Sequence, residues 1–153
     1  MGLTSRLEAD LKEAMRSRDE SRRDTIRLLL SALRNQQIEN RAPLEPQQEL
    51  SVIQREAKRR RENFQEYERL QRPDMAEKER AELHIMEQYL PQQLDFEEVR
   101  LHVLRAIDAT GAATQKDLGR VMATVLPELR CRADGKIVSQ MVRDLLHERE
   151  TTS

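Results

Sequence analysis

The chain has 153 residues, of which 36% are charged and 37% are hydrophobic, and its formal net charge at pH 7 is −1. This balance excludes a uniformly basic nucleic-acid binder, and a single cysteine, Cys131, excludes a scaffold held by internal disulfides. No apolar run reaches the roughly 20 residues of a membrane-spanning helix. Charged residues are spread through segment 1–15, which therefore lacks the apolar core of a signal peptide. We therefore expect a folded cytoplasmic protein without membrane contact.

Apolar residues recur every three or four positions through most of the chain, which predicts a nearly all-helical fold. Two apolar stripes, within residues 3–15 and 26–38, predict the first two helices, and Ser21 is the expected cap of the second. A long third helix is predicted over residues 47–70, and Pro91 is expected to end a fourth helix.

The composition changes after the stretch YLPQQLDFEEV (89–99), because three of the four glycines follow it. Asp95 with Glu98 forms a capping-box pattern that begins a fifth helix. Gly111 suits the left-handed end of that helix, and Pro127 is expected to close a sixth, which Thr114 caps. A seventh helix is expected after the turn that follows.

The fold class predicted from these patterns is all-α, because no strand signal and no internal repeat stand out. We expect two domains. The first is an N-terminal helical hairpin domain over residues 1–90. The second is a small C-terminal three-helix domain over residues 91–153.

Sequence signatures of catalysis, metal binding and nucleotide binding are absent. The three histidines, His84, His102 and His147, lack the spacing of metal ligands, and Cys131 has no nearby Cys or His. The glycines never cluster into a phosphate-binding loop, and no serine-nucleophile elbow is present. The sequence therefore predicts no catalytic residue, no metal site and no cofactor.

A basic run, REAKRRREN, occupies residues 55–63 of the predicted third helix. Such a run engages phosphates through charge-assisted hydrogen bonds, or forms a solvated face that pairs with acids on neighbouring helices, or contacts a protein partner. All three interpretations stay open at this point. The residues assigned to this secondary basic patch are Arg55, Lys58, Arg59 and Arg61.

A second basic cluster lies in TQKDLGRVMATVLPELRCRADGKIV (114–138). Within it, Gly119 interrupts a predicted helix, at a cost of about 1 kcal/mol relative to Ala, which suggests close approach by a neighbouring helix or a ligand. The segment RCRADGK places basic residues beside a helix N-terminus, which favours anions. The candidate anion-binding residues are Lys116, Arg120, Arg130, Arg132 and Lys136.

The order YLPQQL, then ATQKDLGRVMATVLPELRCRADGKIVSQMV, resembles the YqeY-like family, and the resemblance extends over the whole chain. One departure is Cys131, which stands where a glycine is common in the family. The C-terminal part is also similar to the tail domain of the B subunit of glutamine-dependent aspartyl/glutamyl-tRNA amidotransferase, a tail that helps to hold tRNA. The resemblance therefore implies a non-catalytic helical module that binds tRNA, or a tRNA-handling protein, through the second basic cluster.

Two alternatives accompany this expectation. In the first alternative, the chain is an accessory component of a glutamine-dependent carbon–nitrogen ligase, an activity that the resemblance implies by relationship alone. Otherwise it is a protein-interaction module whose docking surface is the helix at 47–70. The scarcity of aromatic residues leaves little means of stacking bases, so any RNA is expected to be held by its backbone and shape.

Overall fold

A computed structural model describes residues 2–152, and within them it contains seven α-helices, one short 3₁₀ turn and no strand, which confirms the all-α prediction. Contacts between residues divide the chain into two compact units, unit 1 (Met1–Pro91) and unit 2 (Gln92–Ser153). The assignment of two independent domains stays a prediction. The helices are α1 (Leu3–Arg16), α2 (Glu20–Asn40), α3 (Pro46–Arg69), α4 (Pro73–Glu87), α5 (Phe96–Thr110), α6 (Leu118–Leu129) and α7 (Gly135–Thr152), with the 3₁₀ turn (Gln115–Asp117) before α6.

Unit 1 packs α1, α2, α3 and α4 around one apolar core, because each helix carries an apolar stripe that it must bury. Pro73 is the first residue of α4, a position where its missing N–H costs no helical hydrogen bond. The longest helix, α3, buries its apolar stripe against its neighbours. The core side chains with no exposed surface are Leu7, Ile26, Leu29, Ile53, Ala57 and Met86.

Unit 2 packs α5, α6 and α7 around a second core that includes Val103, Ile107, Val121, Val125 and Val142. These β-branched side chains are stiff, and all five are fully buried. Among the residues that the structure describes, no helix is long and apolar enough to cross a membrane.

The helix ends agree with the sequence in part. Asp95 and Glu98 form the predicted capping box, and Gly111 ends α5 in the left-handed region at φ +66°. The predicted cap of α2 is wrong, because the Asp19 carboxylate, rather than Ser21, accepts the Arg22 N–H at 3.1 Å.

Two predicted helix ends were also misplaced. Pro127 lies inside α6, which continues to Leu129, and α4 ends at Glu87 before it reaches Pro91.

Within residues 2–152, four residues other than glycine adopt a left-handed backbone near a helix end. Arg18, Arg41, Gln71 and Cys131 have φ between +55° and +63°. A side chain makes this conformation costly, by roughly 1 kcal/mol or more. Cys131 therefore occupies a position that suits the glycine common in the family.

Candidate functional site

Most arginines of the basic run of α3 contact acidic or polar side chains of unit 1. The most buried basic residue of the run is Arg60, whose side chain is 9% exposed. The Arg60 Nε atom lies 2.8 Å from a Glu82 carboxylate oxygen and 3.8 Å from one of Glu79, and its Nη1 atom lies 3.5 Å from one of Glu56. One guanidinium thus faces three carboxylates between α3 and α4.

The remaining arginines of the run are also engaged. Arg55 donates to the Gln36 side-chain oxygen at 3.3 Å, and Arg61 lies 3.6 Å from a Glu87 carboxylate oxygen. The Arg59 side chain is 60% exposed and sits 3.9 Å from Glu56, while Lys58 is half-buried. Ligand binding by this secondary basic patch stays a prediction.

Arg60 was not assigned to the patch from the sequence, because its burial depends on which side of α3 faces α4. A signal was nevertheless present. Glu79 and Glu82 are three residues apart on α4 and so lie on one face of that helix, opposite the face of α3 that carries Glu56 and Arg60.

The YLP part of the motif YLPQQL follows α4 and contacts α1 through Tyr89. The Tyr89 hydroxyl donates to the Asp10 carboxylate at 2.5 Å, and the Arg6 guanidinium lies 4.7 Å from the centre of the Tyr89 ring. Arg22 lies 3.8 Å from the same Asp10 carboxylate. Burial, and then the hydrogen bond to Asp10, raise the pKa of Tyr89 to about 12. Tyr89 therefore joins the end of α4 to α1.

The QQL part of the motif holds the loop between α6 and α7 in unit 2. The Gln93 side-chain amide donates to the Cys131 carbonyl at 2.7 Å, and the Leu94 N–H donates to the Arg132 carbonyl at 2.9 Å. Arg132 Nε returns a bond to the Gln92 carbonyl at 3.4 Å. Two family motifs far apart in sequence therefore meet as a structural contact.

The predicted cap of α6, Thr114, instead begins the 3₁₀ turn before that helix, and the acidic residue of the KDLG motif completes the capping box of this turn. The Asp117 carboxylate accepts the N–H groups of Ala113 and Thr114 at 2.9 and 3.2 Å. These backbone donors hold the pKa of Asp117 below its usual value. Arg120 donates to the same carboxylate at 2.9 Å, so the predicted anion-binding residue Arg120 already has an anionic partner.

The structure divides the five cations of the second cluster into two groups. Lys116 and Arg120 lie at the start of α6, whereas Arg130, Arg132 and Lys136 lie beyond its other end. Since α6 has 12 residues, it is about 18 Å long. The five residues therefore do not form one compact anion site.

The outer surface of α6 carries small side chains. Gly119, Ala123 and Leu126 are spaced four and three residues apart, so they share one helix face, and all three are exposed. A Cβ atom added at Gly119 would meet nothing within 4 Å. The close approach predicted at Gly119 is therefore not made by a helix among the described residues.

The neighbouring surface of α7 continues this face. The Gln115 side chain donates to the Arg143 carbonyl at 2.7 Å, which places this part of α7 beside the start of α6. Lys136 and Arg143 are seven residues apart on α7, so they share one side of that helix. We call the surface formed by Lys116, Gly119, Ala123, Leu126, Arg130, Lys136 and Arg143 the α6–α7 face.

Charges are distributed unevenly on the α6–α7 face. Within the described residues, no carboxylate lies at ion-pair distance from its four cations, which are all exposed. The acids of the same stretch are engaged internally. Asp117 accepts backbone N–H groups, Glu128 contacts His102, Asp134 accepts the Lys136 N–H and Asp144 accepts the Gln140 amide.

Within residues 2–152, histidine, cysteine and carboxylate side chains form no group able to hold a metal ion. The single cysteine, Cys131, is buried and forms no disulfide. The side chains that the α6–α7 face exposes are cations and apolar groups.

The fold and these contacts define a small all-α protein whose sequence motifs cap helices and join segments within each unit. The chain belongs to the YqeY-like family, since the family described as Yqey-like protein matches residues 4–146.

Similar proteins in fungi are named "Altered inheritance of mitochondria protein 41, mitochondrial". The protein from Pyrenophora tritici-repentis is 27% identical over 148 residues, covering 92% of this chain and 79% of the relative. The one from Clavispora lusitaniae is 36% identical over 118 residues, covering 73% and 68%. The one from Saccharomyces cerevisiae is 25% identical over 127 residues, covering 79% and 69%.

These relatives correct two predictions. Their names describe mitochondrial proteins and not tRNA-binding modules, so the function transferred from the amidotransferase tail is wrong. The predicted cytoplasmic localisation is wrong for the same reason. The expected link to an amidotransferase finds no support in these names, and the long helix expected as a docking surface buries its apolar stripe in unit 1.

Proposed function

We propose that the chain functions by binding another protein, and that the α6–α7 face receives an acidic amphipathic helix of that partner. The observation that carries the proposal is the combination on one surface of an open small-residue strip with four cations that have no acidic partner in the described residues. Neither feature is required by the packing of unit 2.

The charge of the face selects an acidic partner. Lys116 and Arg130 lie at the two ends of the small-residue strip, and Lys136 and Arg143 lie along α7. A partner with glutamates or aspartates near these positions is attracted by all four, and complementary charge chiefly raises the association rate and sets the register.

The shape of the face selects a helix. Gly119 and Ala123 have almost no side chain, so the backbone of a partner can approach α6 closely. Leu126, 39% exposed, supplies an apolar anchor one turn further along. An amphipathic helix reads such a surface with side chains at positions i, i+3, i+4 and i+7. A phosphate backbone would use the cations but leave the apolar strip uncovered.

A photo-crosslinking amino acid placed at position 123 of the full chain tests the proposal in cells. The matched control carries the same crosslinker at Ala109, an exposed alanine of α5. Because the relatives are named for mitochondrial inheritance, proteins of that process are the first partners to examine. We expect a crosslinked protein at position 123 only, with the linked segment acidic and helical in its apolar spacing.

Charge reversal distinguishes specific binding at the α6–α7 face from nonspecific binding to the protein surface. Arg130→Glu with Lys136→Glu should lower crosslinking at least tenfold, whereas Arg105→Glu, an exposed position on α5, should leave it unchanged. RNA as the crosslinked species, or equal yields at positions 123 and 109, would overturn the proposal.

A further inference from the structure

We propose that a groove in unit 1, independent of the α6–α7 face, binds a single-chain amphiphile with an anionic head. The groove has a volume of about 500 Å³ and lies between the first turns of α1 and the C-terminal half of α2, with residues 41–43 along one side. This volume is in the range of small-molecule sites.

One face of α2 supplies most of the lining. Leu30, Arg34 and Ile38 follow one another at spacings of four residues, so they point to the same side of α2. Arg41 lines the groove just beyond the end of that helix. Apolar and cationic side chains therefore alternate along a single wall. The lining matches a ligand that is itself part apolar and part charged.

The apolar part of the groove is open to solvent. Ile38 is 68% exposed, the highest value among the exposed large hydrophobic residues of the described chain, and Leu30 is half-buried beside the core residue Leu33. Ala42 and Pro43 add apolar surface at the same place. An alkyl chain lying here would cover this surface and so remove its apolar area from water, which favours binding.

The cationic part of the groove lacks an acidic partner. Neither Arg34 nor Arg41 lies at ion-pair distance from a carboxylate among the described residues, in contrast to Arg60 of the same unit with its three acids. Two guanidinium groups that line one groove suit the oxygens of a carboxylate or a phosphate.

One acid lines the groove as well. Glu8 of α1 is exposed and has no cation at ion-pair distance within the described chain. It weakens the binding of an anionic head by like-charge repulsion, a modest effect for an exposed group. This geometry predicts opposite effects of removing charge on the two walls: loss of Arg34 weakens binding, and loss of Glu8 strengthens it.

Calorimetric titration of the full chain tests the proposal with four probes: octanoate, octyl phosphate, the neutral octyl glucoside and inorganic phosphate, each amphiphile below its micelle concentration. We expect octanoate or octyl phosphate to bind at least tenfold more tightly than octyl glucoside and inorganic phosphate. The tighter of the two anionic probes identifies the head group, a carboxylate or a phosphate.

Variants locate the site. Arg34→Gln and Arg41→Gln should each weaken binding of the better probe about tenfold, which equals about 1.4 kcal/mol, and Glu8→Gln should strengthen it about twofold. Ile38→Asp should abolish it. Arg16→Gln, an exposed arginine of α1 outside the groove, should change nothing.

Three results would overturn the proposal. Octyl glucoside binding as tightly as octanoate would show that the head group is not recognised. Inorganic phosphate binding as tightly would show a simple anion site. Equal losses in Arg34→Gln and Arg16→Gln would show an effect of net charge and not of the groove.

Discussion

The densest basic run of the chain, in α3 of unit 1, is engaged with acids of its own unit, whereas the more dispersed cations of unit 2 remain exposed on the α6–α7 face. Unit 1 surrounds Arg60 with Glu56, Glu79 and Glu82. In unit 2 the Asp117 carboxylate accepts two backbone N–H groups as well as Arg120, and the four cations of the α6–α7 face have no carboxylate at ion-pair distance among the described residues. The number of basic residues in a segment therefore says little about the charge that the segment offers to a partner.

The difference has a physical origin in helix geometry. A long helix such as α3, packed along α4, faces residues that repeat every three or four positions, and Glu79 and Glu82 satisfy that repeat. The short helices of unit 2 need their acids at N-termini, where aspartate satisfies unpaired backbone donors. Among the described residues of unit 2, Arg120 and Arg149 each have an acidic partner, whereas the four cations of the α6–α7 face have none.

The largest effect that would test this comparison is expected from Arg60→Met. Removing the guanidinium leaves three carboxylates partly buried without compensation, and breaking a buried ion pair from one side costs about 3–5 kcal/mol. We expect the free energy of unfolding to fall by about that amount in urea denaturation followed by circular dichroism.

The matched control for Arg60→Met is Arg59→Met, because Arg59 is the adjacent arginine and is 60% exposed. Its loss should cost less than about 0.5 kcal/mol. Equal costs for the two variants would show that Arg60 behaves as a surface residue and that the two units do not differ in the use of their cations.

A second, smaller effect is expected from Tyr89→Phe, which removes a neutral donor from the Asp10 carboxylate of unit 1. Loss of a hydrogen bond to a charged group costs about 1.5–3 kcal/mol. The measurement is again the urea midpoint at pH 8, with Tyr67→Phe, the half-buried second tyrosine, as the control.

The pH dependence of the Tyr89 contribution has a definite sign. The folded state holds the Tyr89 proton with a pKa of about 12, against an ordinary value of 10.0. Between these values the folded state binds more protons than the unfolded state, so stability falls as the pH rises from 10 to 12. Tyr89→Phe should lose less stability than the parent chain over this interval, and parallel losses would contradict the assignment.

Much of the fold follows from local chemistry that the sequence displays. The apolar repeats predict seven helices, and Asp95 with Glu98 predicts a capping box that the structure confirms. Asp19 and Ser21 are both good cap residues two positions apart, so the letters alone do not show that Asp19 is the cap. The left-handed Arg18, which sets where the chain turns into α2, leaves no such mark in the sequence.

The candidate site was harder to predict because the decisive partners are backbone groups and distant residues. Lys116 and Arg120 are neighbours in one motif, yet only Arg120 faces a carboxylate. No sequence pattern indicates that the Gln93 side chain donates to the Cys131 carbonyl, which is 38 residues away. Which cations stay exposed therefore emerges only once the helices are packed.

The smallest effects distinguish a glycine required by the fold from one that the fold does not use. Gly111 has φ +66°, so Gly111→Ala places a side chain in the left-handed region and should lower the free energy of unfolding by about 1 kcal/mol. Gly119 has an ordinary helical backbone and open space above it, so Gly119→Ala should raise that free energy by up to about 1 kcal/mol.

The opposite signs bear directly on the comparison between the units. If Gly119→Ala stabilises the chain, as thermal unfolding by circular dichroism will show, Gly119 has no structural function, and its absent side chain is free to serve contact with a partner. If Gly119→Ala destabilises the chain as much as Gly111→Ala does, the packing of unit 2 requires the glycine. The α6–α7 face would then be explained by stability, and unit 2 would use its residues internally as unit 1 does.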